Sequence, residues 1–235
     1  MIARLVRLVC SLTCGFALIV VLGGCSSTPP ASSTTTSAAA LPTQAELLTA
    51  SATATKAVTS AHFTLTVGGK LPDLQVQGAE GELTSAGDAE GNAKITEFGQ
   101  LVQVDFVIVR KVLYLKGPTG GFTKLAAALA GQIYDPTAIL SADKGVAAVL
   151  HQVITPGKPV PAGSSYTVTG TVPKATAAAL VPGITSDGAG TFTIDKASSR
   201  LTDVTLRLAG SDGKPATVDL GLSDFNKPVT VSPPA

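Results

Sequence analysis

The sequence offers little for acid–base, nucleophilic or metal chemistry. Its two histidines, His62 and His151, stand apart. One begins an alternating stretch and the other lies in an apolar helical one. They form no i, i+4 pair and join no cysteine at metal-ligand spacing, so surface or capping positions are their plain reading. Ala209-Gly210-Ser211-Asp212-Gly213 approximates a nucleophile elbow. It lacks the first glycine of that motif and joins two predicted strands, not a strand and a helix, so it reads as a turn. No Walker A or dinucleotide fingerprint is present. The acids are scattered singly, and Asp105 falls on the outward register of its strand. No catalytic constellation emerges, and neither a cofactor nor a metal is expected.

One cysteine does carry chemistry. Arg4 and Arg7 precede an apolar run from Leu8 to Leu22, and Leu22-Gly23-Gly24-Cys25 follows. A positive start, a short apolar stretch and small residues before a cut describe a secretory signal. A Cys directly after two glycines sharpens this to a bacterial lipoprotein signal over residues 1–24, with Cys25 carrying a diacylglycerol thioether. The run is shorter than the roughly 20 residues of a spanning helix. Two acyl chains suit stable anchoring, because one binds only marginally. Cys10 and Cys14 lie inside the signal, so no disulfide is expected.

Composition narrows the class. Arg4 and Arg7 belong to the signal and no acid does, which leaves 15 basic against 16 acidic residues. That balance argues against nucleic acid as a partner. Hydrophobic residues are 45%, yet aromatics are only 4% and Trp is absent. The apolar mass is therefore Ala, Val, Leu and Ile. Residues 25–43 begin at the lipidated Cys and continue Ser/Thr/Pro/Ala-rich, without charge before Gln44. They read as a tether, whose 18 residues after Cys25 span at most roughly 60 Å.

The elements that position side chains follow from period. Thr43-Gln-Ala-Glu46 is a capping-box pattern that opens a helix over about 44–59. The period then switches to two. Phe63, Leu65 and Val67 share a face. Leu74 and Val76 share another, with Leu83 out of phase, which a bulge would restore. Ala93 and Ile95 follow, then Val102, Val104, Phe106 and Ile108, then a strand from Val112 to Leu115. The turn at Arg110-Lys111 lacks the Asn-Gly or Asp-Gly of a tight hairpin. A helical middle comes next, with Thr123 capping residues 124–130, a short turn opened by Asp135-Pro136, and Asp143 capping a helix with Val146, Val149, Leu150 and Val153 on one face. Strands return with Tyr166, Val168 and Val172, with Phe192 and Ile194, with Val204, Leu206 and Leu208, and with Val218, Leu220 and Leu222. A short helix from Pro173 to Leu180 interrupts them.

This order predicts an α+β domain over 44–235: an antiparallel sheet of about eight or nine curved strands, with helices over its hidden face. Small aliphatics without bulky aromatics can line such a sheet without filling it, leaving an apolar cavity; a solid core is the alternative. Alternation nominates Phe63, Leu65, Val67, Ala93, Ile95, Val102, Val104, Phe106 and Ile108 as lining. Ala93 is the sharpest choice, because a small side chain leaves space.

Gly131–Leu150, GQIYDPTAILSADKGVAAVL, resembles the mycobacterial LppX/LprA/LprF/LprG lipoprotein family, its LprG branch most of all. Tyr134-Asp135-Pro136, Ala138 to Leu140 and Asp143-Lys144-Gly145 followed by an apolar helix carry the likeness. Ser60-Ala61-His62, Gly91-Asn92-Ala93-Lys94, Asp105-Phe106-Val107, Leu113-Tyr114 and Leu222-Ser223-Asp224-Phe225 extend it. Phe225 and the Ala-rich Gly120–Gly131 depart from the family pattern. The resemblance implies a curved antiparallel half-barrel, LolA/LolB-like, with helices on the concave face. It also implies a cavity for di- or triacylated lipids or lipoglycans, carried from the plasma membrane toward the outer mycomembrane. A lipid-anchored position on the outer face of the plasma membrane and a major facilitator efflux transporter as partner are implied with it. An adhesion or signalling lipoprotein without a cavity is the alternative.

Overall fold

The computed structural model describes residues 41–72, 74–97, 99–125 and 135–234. The signal, Cys25, all of the tether before Leu41, the helix expected after Thr123, and Tyr134 lie outside them.

Helix α1, Gln44–Lys56, starts at the expected capping box. Thr43 Oγ1 accepts from the Glu46 N–H at 3.3 Å, and Glu46 Oε2 accepts from the Thr43 N–H at 2.9 Å. The bond from the Thr43 backbone, then that from its hydroxyl, holds the Glu46 carboxyl below the usual carboxylate range. A depressed folded value stabilises the cap fully above that range, and the contribution fades as pH falls through it. The helix buries Leu47, Leu48, Ser51, Ala52 and Thr55. It stops at Lys56, short of Val58, and Thr55 Oγ1 accepts from the buried Leu201 N–H at 3.1 Å.

Eleven strands form one antiparallel sheet among the described residues. The first half is β1 Ser60–Gly68, β2 Val76–Thr84, β3 Ala89–Glu97, β4 Gln100–Val109, β5 Val112–Lys116 and β6 Thr123–Lys124. The second is β7 Val160–Ala162, β8 Ser165–Val172, β9 Gly188–Asp195, β10 Leu201–Ala209 and β11 Pro215–Ser223. Each half is a meander, and β1 pairs β11 at the centre, so the order runs β6 to β1 and then β11 to β7. The two ends do not meet. The product is a curved half-barrel with its helices on the concave face. Pro161, which cannot donate to a ladder, sits in edge strand β7.

Several local expectations resolve. The register shifts between Val76 and Gly78 against β3, a bulge that returns Val76, Ala79 and Leu83 to one face. Arg110 and Lys111 take φ values of 51° and 64°, the two left-handed positions of a tight hairpin turn made without glycine. Thr123 and Lys124 are strand, extending the ladder from β5, so Thr123 is not the expected cap; residues 126–130 of the expected helix lie outside the described residues. Asp135 caps a 3-10 helix, Pro136–Leu140, accepting from the Thr137 N–H at 2.9 Å. Asp143 is not the next cap. Gly145 is, ahead of α2 Val146–His151, because a Cβ there would strike the carbonyls of Ile139 and Ser141. Helix α3, Lys174–Leu180, follows Pro173 as expected.

The curvature has a visible cause. Phe63, Gly81, Gly91 and Phe106 are register partners across β1, β2, β3 and β4. Flat strands about 4.8 Å apart would hold β1 and β4 roughly 14 Å apart. The two rings nevertheless meet, with centroids at 6.5 Å. The paired glycines present no side chain beneath them. Their backbones approach so closely that a Cβ on Gly91 would strike the Glu80 carbonyl, and one on Gly81 the Glu90 carbonyl. A Gly91→Ala substitution should therefore cost about 1–3 kcal/mol as overpacking against backbone. Urea unfolding of the variant beside the parent measures it, and equal midpoints would show that the sheet does not depend on this approach.

Candidate functional site

The helices do not cover the concave face evenly. Val146 and Val149 of α2, Ile139 of the 3-10 helix and Leu180 of α3 face Leu65, Phe192, Val204, Leu206, Val218 and Leu220. Only a void of about 30 Å³ remains between them. The 3-10 helix reaches β2. Beyond it, the helices of the described residues leave most concave side chains of β3 to β5 uncovered.

A cavity of about 390 Å³ fills that space. Its wall climbs β4 from Val104 through Phe106 to Ile108, with Ala93 and Ile95 of β3 on one side and Leu113 and Leu115 of β5 on the other. Val76 and Ala79 of β2 continue the wall, and Pro136 and Pro182 close it from the helical side. The surface is mostly aliphatic. One end lies at Gln75, Glu97 and Gly117, and the other at Ile108, Leu113, Leu125 and Pro182. That volume falls within the roughly 300–1,000 Å³ of small-molecule binding sites.

An open groove of about 710 Å³ adjoins the cavity, sharing Ile108, Leu113 and Pro182 with it. Its remaining walls are mixed: Ser85, Ala86 and Gly87 of the β2–β3 turn, Lys111 of the β4–β5 turn, Asp135, Thr137, Ala138, Ser141, Ala142 and Lys144 around the 3-10 helix, and Ala179 and Leu180 of α3. The groove thus adds polar and charged side chains beside one end of an apolar cavity.

Of the nine residues that alternation nominates, Ala93, Ile95, Val104, Phe106 and Ile108 line this cavity. The other four do not. Phe63 is fully buried against Phe106. Leu65 faces the small void under the helices, and Val67 packs into the closed core. Val102 is partly buried against the core, outside the cavity wall. The reason is strand order. Because β1 pairs β11, it is central and roofed by helices, a position its own alternation cannot reveal. Leu113 and Leu115 escaped nomination although their strand was legible. Val76 and Ala79 are hidden by the bulge, and Pro136 and Pro182 arrive only through tertiary packing.

The side chains with possible chemistry stand elsewhere. His62 Nδ1 lies 2.8 Å from Glu82 Oε1 across β1 and β2, on the wet convex face. His151 ends α2, exposed. Asp105 lies 3.6 Å from Lys116 Nζ, both about half exposed. Ala209–Gly213 is the β10–β11 hairpin loop.

An open half-barrel whose described helices roof one half and border an apolar cavity over the other is the class that these features define. The chain belongs to the LppX_LprAFG lipoprotein family, whose model matches residues 43–231. It is 36% identical over 205 residues to a Mycolicibacterium smegmatis protein named lipoarabinomannan carrier protein LprG, covering 83% of this chain and 84% of that one. With the Mycobacterium tuberculosis protein of that name it is 37% identical over 111 residues, and there the chain spans about half of the relative, 46%. The crystal structure of LprF from Mycobacterium bovis superposes with a TM-score of 0.69 at 27% identity, covering 82% of this chain and 97% of that one.

Ala93 is a small side chain of the wall, between Val104 of β4 and Ala79 of β2. Ala93→Trp should occupy much of the hollow. Lipid recovered with the purified protein should drop severalfold while the melting temperature stays within a few degrees. Unchanged recovery from a stable variant would remove Ala93 from the site.

Proposed function

We propose that this chain is a membrane-anchored, non-enzymatic carrier of acylated lipids or lipoglycans. In this reading residues 1–24 are a lipoprotein signal and Cys25 is acylated. Residues 25–43 tether a lipid-binding domain, 44–235, to the outer face of the plasma membrane. The domain shields acyl chain in its cavity and leaves the headgroup in water. It moves its cargo toward the outer mycomembrane and draws on a major facilitator efflux transporter as partner.

The observation that carries the reading is the apolar cavity of about 390 Å³ beside a groove that bears polar and charged side chains. The 36% identity to a protein named as a lipoarabinomannan carrier supports it. The physics asks for such a protein. Each methylene removed from water is worth about 0.8 kcal/mol, so a chain of roughly sixteen carbons costs on the order of 10 kcal/mol to expose. A cavity that covers the chain removes most of that barrier without ATP or bond chemistry. Ala93, Ile95, Val104, Phe106 and Ile108 are the proposed chain contacts; Phe63, Leu65, Val67 and Val102 support the wall from behind or beside it.

The test uses the Cys25→Ser variant produced in a mycobacterial host, which cannot carry the covalent acyl group. Native mass spectrometry should find a stoichiometric adduct that denaturation releases as an acylated lipid, and the adduct's mass gives its chain number. A bare mass from folded protein would refute the carrier reading and favour an adhesion or signalling lipoprotein.

A further inference from the structure

The cavity meets water at a second place, at the end away from the groove. Gln75 and Glu97 both line it there, and both are exposed. Burial falls along the wall toward them. Val104, Phe106, Ile108 and Leu113 are at most 8% exposed. Leu74, Ile95 and Leu115, nearer that end, are only partly buried. Among the described residues, the hollow is therefore a tunnel with two mouths.

Gly117 lines the second mouth. It follows β5, whose Leu113 and Leu115 are cavity wall, so the period of two gives the next concave place to residue 117. Neither backbone nor packing asks for a glycine there. Its φ lies outside the left-handed range, and an added Cβ would meet no atom of the described residues within 4 Å. Gly81 and Gly91 are the contrast, because a Cβ on either would strike the neighbouring strand. The space that a side chain at position 117 would fill is the mouth itself.

We propose that Gly117 is a specificity-determining residue that keeps this mouth open for the end of an acyl chain, so that the protein accepts lipids whose chain is longer than the cavity. Each methylene kept out of water is worth about fourfold in affinity, so a chain fills the tunnel first. Methylenes beyond that length emerge past Leu74, Ile95 and Leu115, whose partly exposed side chains shield the start of the emerging segment. A blind pocket would measure the chain instead, because a longer one would have to buckle or hold its headgroup off the protein. The inference rests on the carrier reading and names its substrate class: lipids of long and variable chain, limited by cross-section and not by length.

The experiment uses two lysophosphatidylcholines that carry a nitroxide on the last carbon of the chain, one of roughly twelve and one of roughly twenty-four carbons, either side of the chain of roughly sixteen considered above. Each is bound to the delipidated Cys25→Ser chain. Electron paramagnetic resonance then reads how readily a water-soluble nickel chelate reaches the nitroxide. In the parent the short chain's nitroxide should be shielded and the long chain's severalfold more accessible. Gly117→Trp should close the mouth. Accessibility of the long chain's nitroxide should fall severalfold and its Kd rise severalfold, while the short lipid binds as before and the melting temperature stays within a few degrees. Gly117→Ala should match the parent with both lipids, and Gly117→Leu replaces the Trp variant if that one does not fold. A long chain as shielded as the short one, or one whose exposure the Trp and Leu variants leave unchanged, overturns the proposal. Binding of the short lipid alone would also overturn it and leave the carrier reading standing. If the parent binds neither lipid, the carrier reading falls and this inference with it.

Discussion

The shape of this protein depends on one contact, the meeting of Phe63 and Phe106 over Gly81 and Gly91. Bulky aromatics are few here, so this pair has no substitute at its position. A flat sheet would hold the rings far apart. Bare backbone between them lets β1 and β4 fold toward one another, and burial of two large side chains rewards that bend. A β-carbon on either glycine would meet a carbonyl of the neighbouring strand. Curvature is thus written as an absence of side chains at two positions and a surplus at two others.

The same contact divides the concave face. On the β1 side the helices descend to the sheet and close the core around Phe192, Leu206 and Val218. On the β4 side Phe106 becomes the end of that core and the wall of the cavity. Among the described residues, the helices roof only the β1 side. Helix α2 has six residues and α3 seven. Their reach ends near β2, where the 3-10 helix touches the sheet. A void lined by aliphatic side chains loses dispersion contacts that a filled core would keep. A chain that keeps such a hollow stores a binding site in place of added stability.

The cavity and the chemistry of carrying agree in kind. Aliphatic walls offer an acyl chain no directional bonds, so they tolerate variation in the chain. The polar and charged side chains of the groove lie at one end. The ionisable pairs on the convex face, His62 with Glu82 and Asp105 with Lys116, point away from the hollow. They are the solvated side of an antiparallel sheet.

Much of this was legible without coordinates. Period-two alternation located the principal strands and the concave register of Ala93, Val104 and Phe106, because side chains alternate faces wherever one face is hidden. The out-of-phase Leu83 announced the bulge, and Thr43 with Glu46 announced the first helix, since both are local consequences of backbone hydrogen bonding. The family pattern was carried by Asp135-Pro136 and its surroundings. What alternation could not say is which half of the hidden face is filled. Phe63 and Phe106 have the same local pattern, yet one is core and the other wall. That difference arises from the pairing of β1 with β11, and from where three short helices come to rest. Both join residues far apart in the chain, so only the tertiary structure decides them.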